Sequence, residues 1–190
     1  MAEEEINISA IFESQKAIWD QLKKVIVSNR LGNAYLFYGP SGCGKEYIAT
    51  QFAQMLNCEK EIGNICGNCS SCKRSKILQH ENIKLVFPLP VSKNQSSNDE
   101  SEFSRGNIDI ITENVKKKSE NPFYKIQIPH ANRILIQSIR TLRRTLYLKT
   151  QNSGRKVVLV FDAHLLNSGQ GEAANAFLKM DMANLNNEQQ

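Results

Sequence analysis

Apolar residues at Ile18, Leu22, Val25 and Ile26 recur at helical spacing, so roughly residues 14–28 predict an amphipathic helix. The compact apolar run Tyr35-Leu36-Phe37-Tyr38 predicts a first strand. Ile48, Phe52, Met55 and Leu56 then mark the buried face of the next helix. Lys73 to Gln79 predicts a short helix, and Leu85-Val86-Phe87, stopped by Pro88 and Pro90, a second strand. From Val91 to Arg105, Ser, Asn, Gln, Asp and Glu dominate; too little there can be buried, and a mobile loop is expected. A short helix near Ile108–Lys118 follows, ending in Lys116-Lys117-Lys118, which reads as a solvated face sooner than a nucleic-acid contact. Beyond Ile136, Ile139, Leu142 and Leu146 face one way, and Arg140, Arg143 and Arg144 share another side. That arginine stripe suits phosphates or an acidic partner, but a solvated helix face is the plainer reading. Ser153-Gly154 turns the chain into Val157-Val158-Leu159-Val160-Phe161, the continuous apolar run of a parallel strand covered on both faces. No internal repeat is present.

Between the first predicted strand and the helix after it lies Gly39-Pro40-Ser41-Gly42-Cys43-Gly44-Lys45-Glu46. Strand, glycine-rich turn, lysine and helix is the layout of a phosphate-binding P-loop. The glycines let the backbone turn tightly so that N–H groups face phosphate oxygens, and Lys45 supplies a point charge. The motif calls for Ser or Thr after the lysine, because that hydroxyl ligates the magnesium of a bound nucleotide. Here Glu46 stands instead. A carboxylate can touch magnesium, but its charge and length suit a phosphate cradle poorly. The shape of a nucleotide site is expected; ATP and magnesium binding is left open.

Chemistry of a second kind is concentrated downstream. Four of the five cysteines, Cys58, Cys66, Cys69 and Cys72, cluster, and the last three repeat as Cys-x-x-Cys-x-x-Cys. Four thiolates close a tetrahedral shell around Zn2+ and leave no position for water, so the site reads as structural. A redox or iron–sulfur role and free thiols are the alternatives. Cys43, in the loop, reads as a small filler. The composition, 41% hydrophobic and 23% charged over 190 residues, suits one domain or one domain plus a small module. Net charge is +5, from 24 basic against 19 acidic residues, too mild to argue for nucleic acid. No run approaches a membrane span, and the acidic start Met1-Ala2-Glu3-Glu4-Glu5 is no secretion signal; a cytoplasmic location is expected.

The last strand runs into Asp162-Ala163-His164-Leu165-Leu166-Asn167, with Glu172-Ala173-Ala174-Asn175-Ala176-Phe177-Leu178-Lys179 after it. Here the chain resembles the bacterial clamp-loader subunits of DNA polymerase III, the gamma/tau and delta-prime members of the AAA+ family. The lead-in Arg30-Leu31-Gly32-Asn33-Ala34-Tyr35-Leu36-Phe37 and the cysteine module beginning Leu56-Asn57-Cys58 carry the same resemblance, which covers about residues 11–88 and 132–179. It implies an α/β fold of the P-loop NTPase (AAA+/RecA-like) class: a parallel sheet, flanking helices and an inserted four-cysteine zinc module. Residues 1–179 would be a partial nucleotide-binding domain containing a zinc module at 57–80 and a polar insertion at 91–130. The tail at 180–190 departs from the family, so the C-terminal part of the core is expected to be missing. A gap in the sheet would then lower stability or promote self-association.

The departures point to a subunit type. Hydrolysing members hold magnesium and polarise water with adjacent acidic residues; here Phe161 takes the first position and only Asp162 remains. With Glu46 also substituted, the resemblance implies a delta-prime-like, non-hydrolysing scaffold without catalytic residues. It would act with other loader subunits to place the sliding clamp on primer-template DNA. Its Ser-Arg-Cys motif, which serves a neighbour's ATP site, is not found here. One alternative is an active gamma-type ATPase in which Glu46 and Asp162 hold the metal. Another is a truncated product that keeps only its zinc module. Polymerase chemistry itself is excluded by the lack of paired metal-holding carboxylates beside a template groove, although the holoenzyme as a whole is a DNA-directed DNA polymerase.

Overall fold

A computed structural model describes residues 13–90, 105–148 and 154–187. Its elements are α1 (Lys16–Val27), α2 (Lys45–Leu56), α3 (Ser70–Lys76), β1 (Ile83–Val86), α4 (Arg105–Glu120), α5 (Ile136–Tyr147), β2 (Val157–Val160), a 3-10 helix (Ala163–Asn167) and α6 (Glu172–Asn187). β1 and β2 form a two-stranded sheet. At one end the Val157 N–H donates to the Asn82 carbonyl at 2.7 Å, and at the other Phe161 donates to Val86 at 2.8 Å. Both partners advance together along the chain, so the pair is parallel. Among the described residues no helix is long and apolar enough to cross a membrane.

The chain divides into two compact units. The first comprises Met1–Ile83, Val115–Lys125 and Asn152–Leu159. Its core joins Leu22 of α1 with Ile48, Phe52 and Met55 of α2, all read above, to Trp19, which lies outside that reading; Ile18, expected on the buried face, is 47% exposed. Asn29 ends α1 in the left-handed conformation (φ 53°), while Arg30 donates back to the Val25 carbonyl at 3.1 Å. Asn adopts that conformation at small cost because its side chain bonds locally.

Tyr35 to Tyr38 is not a strand, contrary to the sequence expectation. The side chains still sort with period two. Tyr35 meets the Phe52 ring edge-on at 5.1 Å and Phe37 lies 6.4 Å from the same ring, whereas Leu36 and Tyr38 are 79% and 87% exposed. What is absent among the described residues is a neighbouring backbone to complete a ladder, and without one a strand pattern remains an extended segment packed on one face only.

The second unit comprises Lys84–Asn114, Ile126–Gln151 and Val160–Gln190. α5 packs on α6, and α6 on the 3-10 helix. Ile139 and Leu142 on one face of α5 are buried, as are Ala173 and Met180 of α6. Arg140, Arg143 and Arg144 lie on the exposed face of α5, with Arg143 over the Tyr147 ring at 5.9 Å. α4 is longer than the Ile108–Lys118 expected, and most of the polar stretch before it, from residue 91 to 104, lies outside the described residues. The tail from 188 to 190 does too; α6 runs through the start of the segment expected to depart from the fold. Only Leu159 of β2 is buried, so the strand expected to be covered on both faces is largely half-buried. Among the described residues β2 has β1 as its ladder neighbour.

Phe52 is the point where the two aromatic contacts and the α1–α2 core converge. Phe52→Ala should lower unfolding free energy by about 3–5 kcal/mol, measured by urea denaturation followed through Trp19, the chain's one tryptophan.

Candidate metal centre and glycine loop

The four clustered cysteines converge. The Sγ atoms of Cys58, Cys66, Cys69 and Cys72 all lie within 4.8 Å of one another. Cys58 leaves the end of α2, where Asn57 is the C-cap; Cys66 and Cys69 flank a tight turn; Cys69 is the N-cap of α3 and Cys72 lies within that helix. Gly67 makes the turn possible at φ 74°, a value that costs other residues dearly. The turn aims backbone N–H groups at sulfur: Cys69 donates to Cys66 Sγ at 3.4 Å and Cys72 to Cys69 Sγ at 3.3 Å. Donors of this kind stabilise thiolates.

The thiol equilibria reflect that environment. Burial raises Cys69, but N–H groups of Cys72 and Glu59 together with the Cys72 and Cys66 side chains more than offset it, bringing it down to about 7. Cys58 is lowered as well: burial is outweighed by backbone donors at Cys66, Lys60 and Glu61. Burial pushes Cys72 up to about 12; the Gly67 N–H opposes this, while the thiols of Cys69 and Cys58 add to it. Four thiols this close cannot all ionise without a cation among them.

A Zn2+ ion meets that need. Zn–S bonds of about 2.3 Å in a tetrahedron separate the sulfurs by about 3.8 Å. Cys66 and Cys72 are 3.9 Å apart. The donor set therefore fits a metal ion, with all four sulfurs as ligands and none left for catalysis.

Behind the sulfurs runs a buried polar chain that no motif in the residues signals. Ser71 Oγ donates to the Asn57 carbonyl at 2.5 Å and lies 2.8 Å from His80 Nε2. The Asn82 backbone N–H donates to His80 Nδ1 at 3.0 Å, so Nδ1 is the acceptor and Nε2 bears the proton given to Ser71. Ser71, His80, Asn57 and Asn82 are all buried. With its own proton committed to a carbonyl and no solvent access, Ser71 is no nucleophile; the chain ties the cysteine helix to the C-terminus of α2 and the start of β1.

The glycine loop enters α2 through Gly42 and Gly44, both left-handed at φ 78° and 80°. Gly44 is the buried N-cap. Lys45 Nζ donates to the Pro40 carbonyl at 3.0 Å, within the loop itself. Gln15 Nε2 reaches the Cys43 carbonyl at 3.4 Å. Glu46 sits in the first turn of α2, where a carboxylate is favoured by the helix dipole. Its Oε2 accepts a hydrogen bond from Lys118 Nζ, which also donates to the Pro122 carbonyl at 3.0 Å. The Lys118 side chain is 4% exposed and that of Glu46 28%. The lysine run is thus not wholly a solvated face: Lys116 and Lys117 are exposed, whereas Lys118 is withdrawn from water into an ion pair. A contact across 72 positions leaves no periodic signal in a sequence. Asp162, in the second unit, ends β2 in the left-handed conformation at φ 51° and caps the 3-10 helix, its carbonyl accepting from the Leu165 N–H at 2.8 Å.

A glycine loop opening a helix, a four-sulfur cluster after that helix, and a parallel strand pair fit an α/β protein of the clamp-loader type. A family model described as DNA polymerase III, delta subunit, matches residues 14–180, and the chain belongs to that family. It is 26% identical over 170 residues to the DNA polymerase III subunit delta' of Pseudomonas aeruginosa, an alignment covering 89% of this chain and 38% of that protein. Against subunit delta' of Bacillus subtilis it is 28% identical over 150 residues, 78% of this chain and 42% of the relative. A 76-residue stretch, 40% of this chain, is 37% identical to Protein STICHEL-like 3 of Arabidopsis thaliana, of which it covers 7%. The chain thus spans less than half the length of these relatives. No solved structure matches significantly.

Purified protein should carry about one zinc per chain by atomic absorption, and Cys72→Ser should abolish it. Because Cys72 must release a proton that it otherwise holds to about pH 12, zinc affinity should fall at least about tenfold per unit as pH drops from 8 to 6, read by competition with a chromogenic chelator.

Proposed function

We propose that this chain serves DNA replication as a delta-prime-like clamp-loader subunit, a structural member of the AAA+ ring that does not hydrolyse ATP. Its partners are other loader subunits, and through the assembled complex the sliding clamp and primer-template DNA. A structural Zn2+ is held by Cys58, Cys66, Cys69 and Cys72. The location follows from that role and is cytoplasmic. Family membership supports the replication role. The observation that carries the non-hydrolysing reading is the engagement of Glu46 by Lys118.

In a hydrolysing loop the residue after the lysine offers a small neutral hydroxyl to magnesium. Here that position carries a full negative charge already neutralised from within. Phe161 supplies no carboxylate beside Asp162, so the water-polarising pair is reduced to one. The residues Gly39, Pro40, Ser41, Gly42, Cys43, Gly44 and Lys45 keep the loop's shape, and a nucleotide held there would meet backbone N–H groups and the Lys45 ammonium. Magnesium fits poorly. The gamma-type ATPase, with Glu46 and Asp162 as metal ligands, requires Glu46 to leave its lysine.

The zinc-loaded chain should show no magnesium-dependent phosphate release from ATP, and should co-elute with a gamma/tau subunit in size-exclusion chromatography. Turnover abolished by Lys45→Ala would establish the ATPase in place of the scaffold; failure to co-elute would remove the loader role.

A further inference from the structure

The family's nucleotide loop implies a magnesium ion beside the residue following the lysine, and the residues here do not fit one. Glu46 is in place but occupied. Its carboxylate lies in the first turn of α2, and the cation facing it is the ammonium of Lys118, brought by the last turns of α4. Lys118 is anchored on its other side by the Pro122 carbonyl, just beyond the end of the same helix. A second cation entering this spot would meet a buried ammonium already paired with the carboxylate it would need.

The geometry points to Lys118 as an internal counter-ion that takes the metal's place at Glu46, so that the loop and the start of α2 hold their conformation without a magnesium-bound nucleotide. In a hydrolysing loop, phosphate oxygens and magnesium neutralise the helix N-terminus and the residues around it. In this chain the anion is the Glu46 carboxylate, fixed on the helix itself, and the cation is Lys118, fixed by a segment from residue 115 to 125 that packs in the same unit. Lys45, folded onto the Pro40 carbonyl, needs no phosphate partner to be placed. The loop is thereby ordered by covalently attached charges, and its shape is independent of ATP. The inference rests on the reading of Gly39–Glu46 as a loop of nucleotide-binding origin.

The test uses the zinc-loaded chain, with thermal unfolding followed by Trp19 fluorescence. Lys118→Met, which strands the Glu46 carboxylate, should lower the midpoint by about 5 °C or more. Adding Glu46→Gln to that variant should restore at least half of the loss, because removing both charges leaves neither unpaired. Losses that add in the double variant would overturn the proposal. On the unaltered chain, millimolar sodium ATP with magnesium should give the same midpoint as sodium ATP without added magnesium, in buffer free of chelator so that the zinc stays bound, whether or not ATP itself binds. A shift specific to magnesium would overturn it independently, even if the variants fail to fold. Co-elution with a gamma/tau subunit is scored separately: its failure removes the replication role and leaves the ion pair standing, while a magnesium-specific shift does the reverse.

Discussion

An ammonium withdrawn from water costs several kcal/mol unless a charge and further acceptors meet it. Lys118 is withdrawn almost completely, and Glu46 and the Pro122 carbonyl meet it. That constraint reaches in two directions. It fixes the end of α4, reached through a long polar stretch, onto the first turn of α2. It also pairs the carboxylate that follows Lys45 in the glycine loop, the feature on which the proposed non-hydrolysing reading rests. Most other features of the first unit follow from the position of α2: the aromatic contacts on Phe52, the burial of Trp19, and the departure of Cys58 from its C-terminal end.

The cysteine centre and the ion pair stand at opposite ends of α2 and solve one problem by different means. Each concentrates charge of one sign in a small, partly dry space. At the N-terminus a single carboxylate is balanced by a lysine of the chain. At the C-terminus four sulfurs exceed what nearby N–H donors can stabilise. Cys69 and Cys58 are drawn toward ionisation while Cys72 is driven away from it, so the cluster without a cation is a compromise among competing thiols. A divalent ion resolves it. The buried Ser71–His80 chain holds the sulfur-bearing helix against Asn57 and Asn82 through hydrogen bonds.

Local features were legible in the residues. The faces of α2 and α5 followed from helical spacing, that of α1 only in part because Trp19 is buried and Ile18 exposed, and the convergence of the four cysteines followed from the Cys-x-x-Cys repeats and their turn residues. Tyr35 to Tyr38 misled because an apolar run records only that side chains can pack, whereas a strand also requires a neighbouring backbone. Phe37 obeys the pattern and still makes no ladder. Lys118 misled in the opposite sense. A run of three lysines is normally solvated, and nothing local distinguishes the third from the first; its partner lies 72 positions away. His80 gave no signal either, since a lone histidine acquires its meaning only from the Ser71 and Asn82 groups that the fold brings to its two nitrogens.

The balance between scaffold and ATPase turns on what it would take to free Glu46. Opening the pair deprives an ammonium whose side chain is 4% exposed of the carboxylate that faces it. Magnesium gives up its waters reluctantly and prefers near-octahedral oxygen coordination. Glu46 offers at most two oxygens on a side chain that must first move, and its charge repels the phosphates that would complete the shell. A working metal site needs attraction to phosphate and metal together, as the neutral hydroxyl of the motif allows. On the scaffold reading proposed above, Glu46 trades that for an internal bond, and the loop it anchors holds a shape in place of turning over a nucleotide.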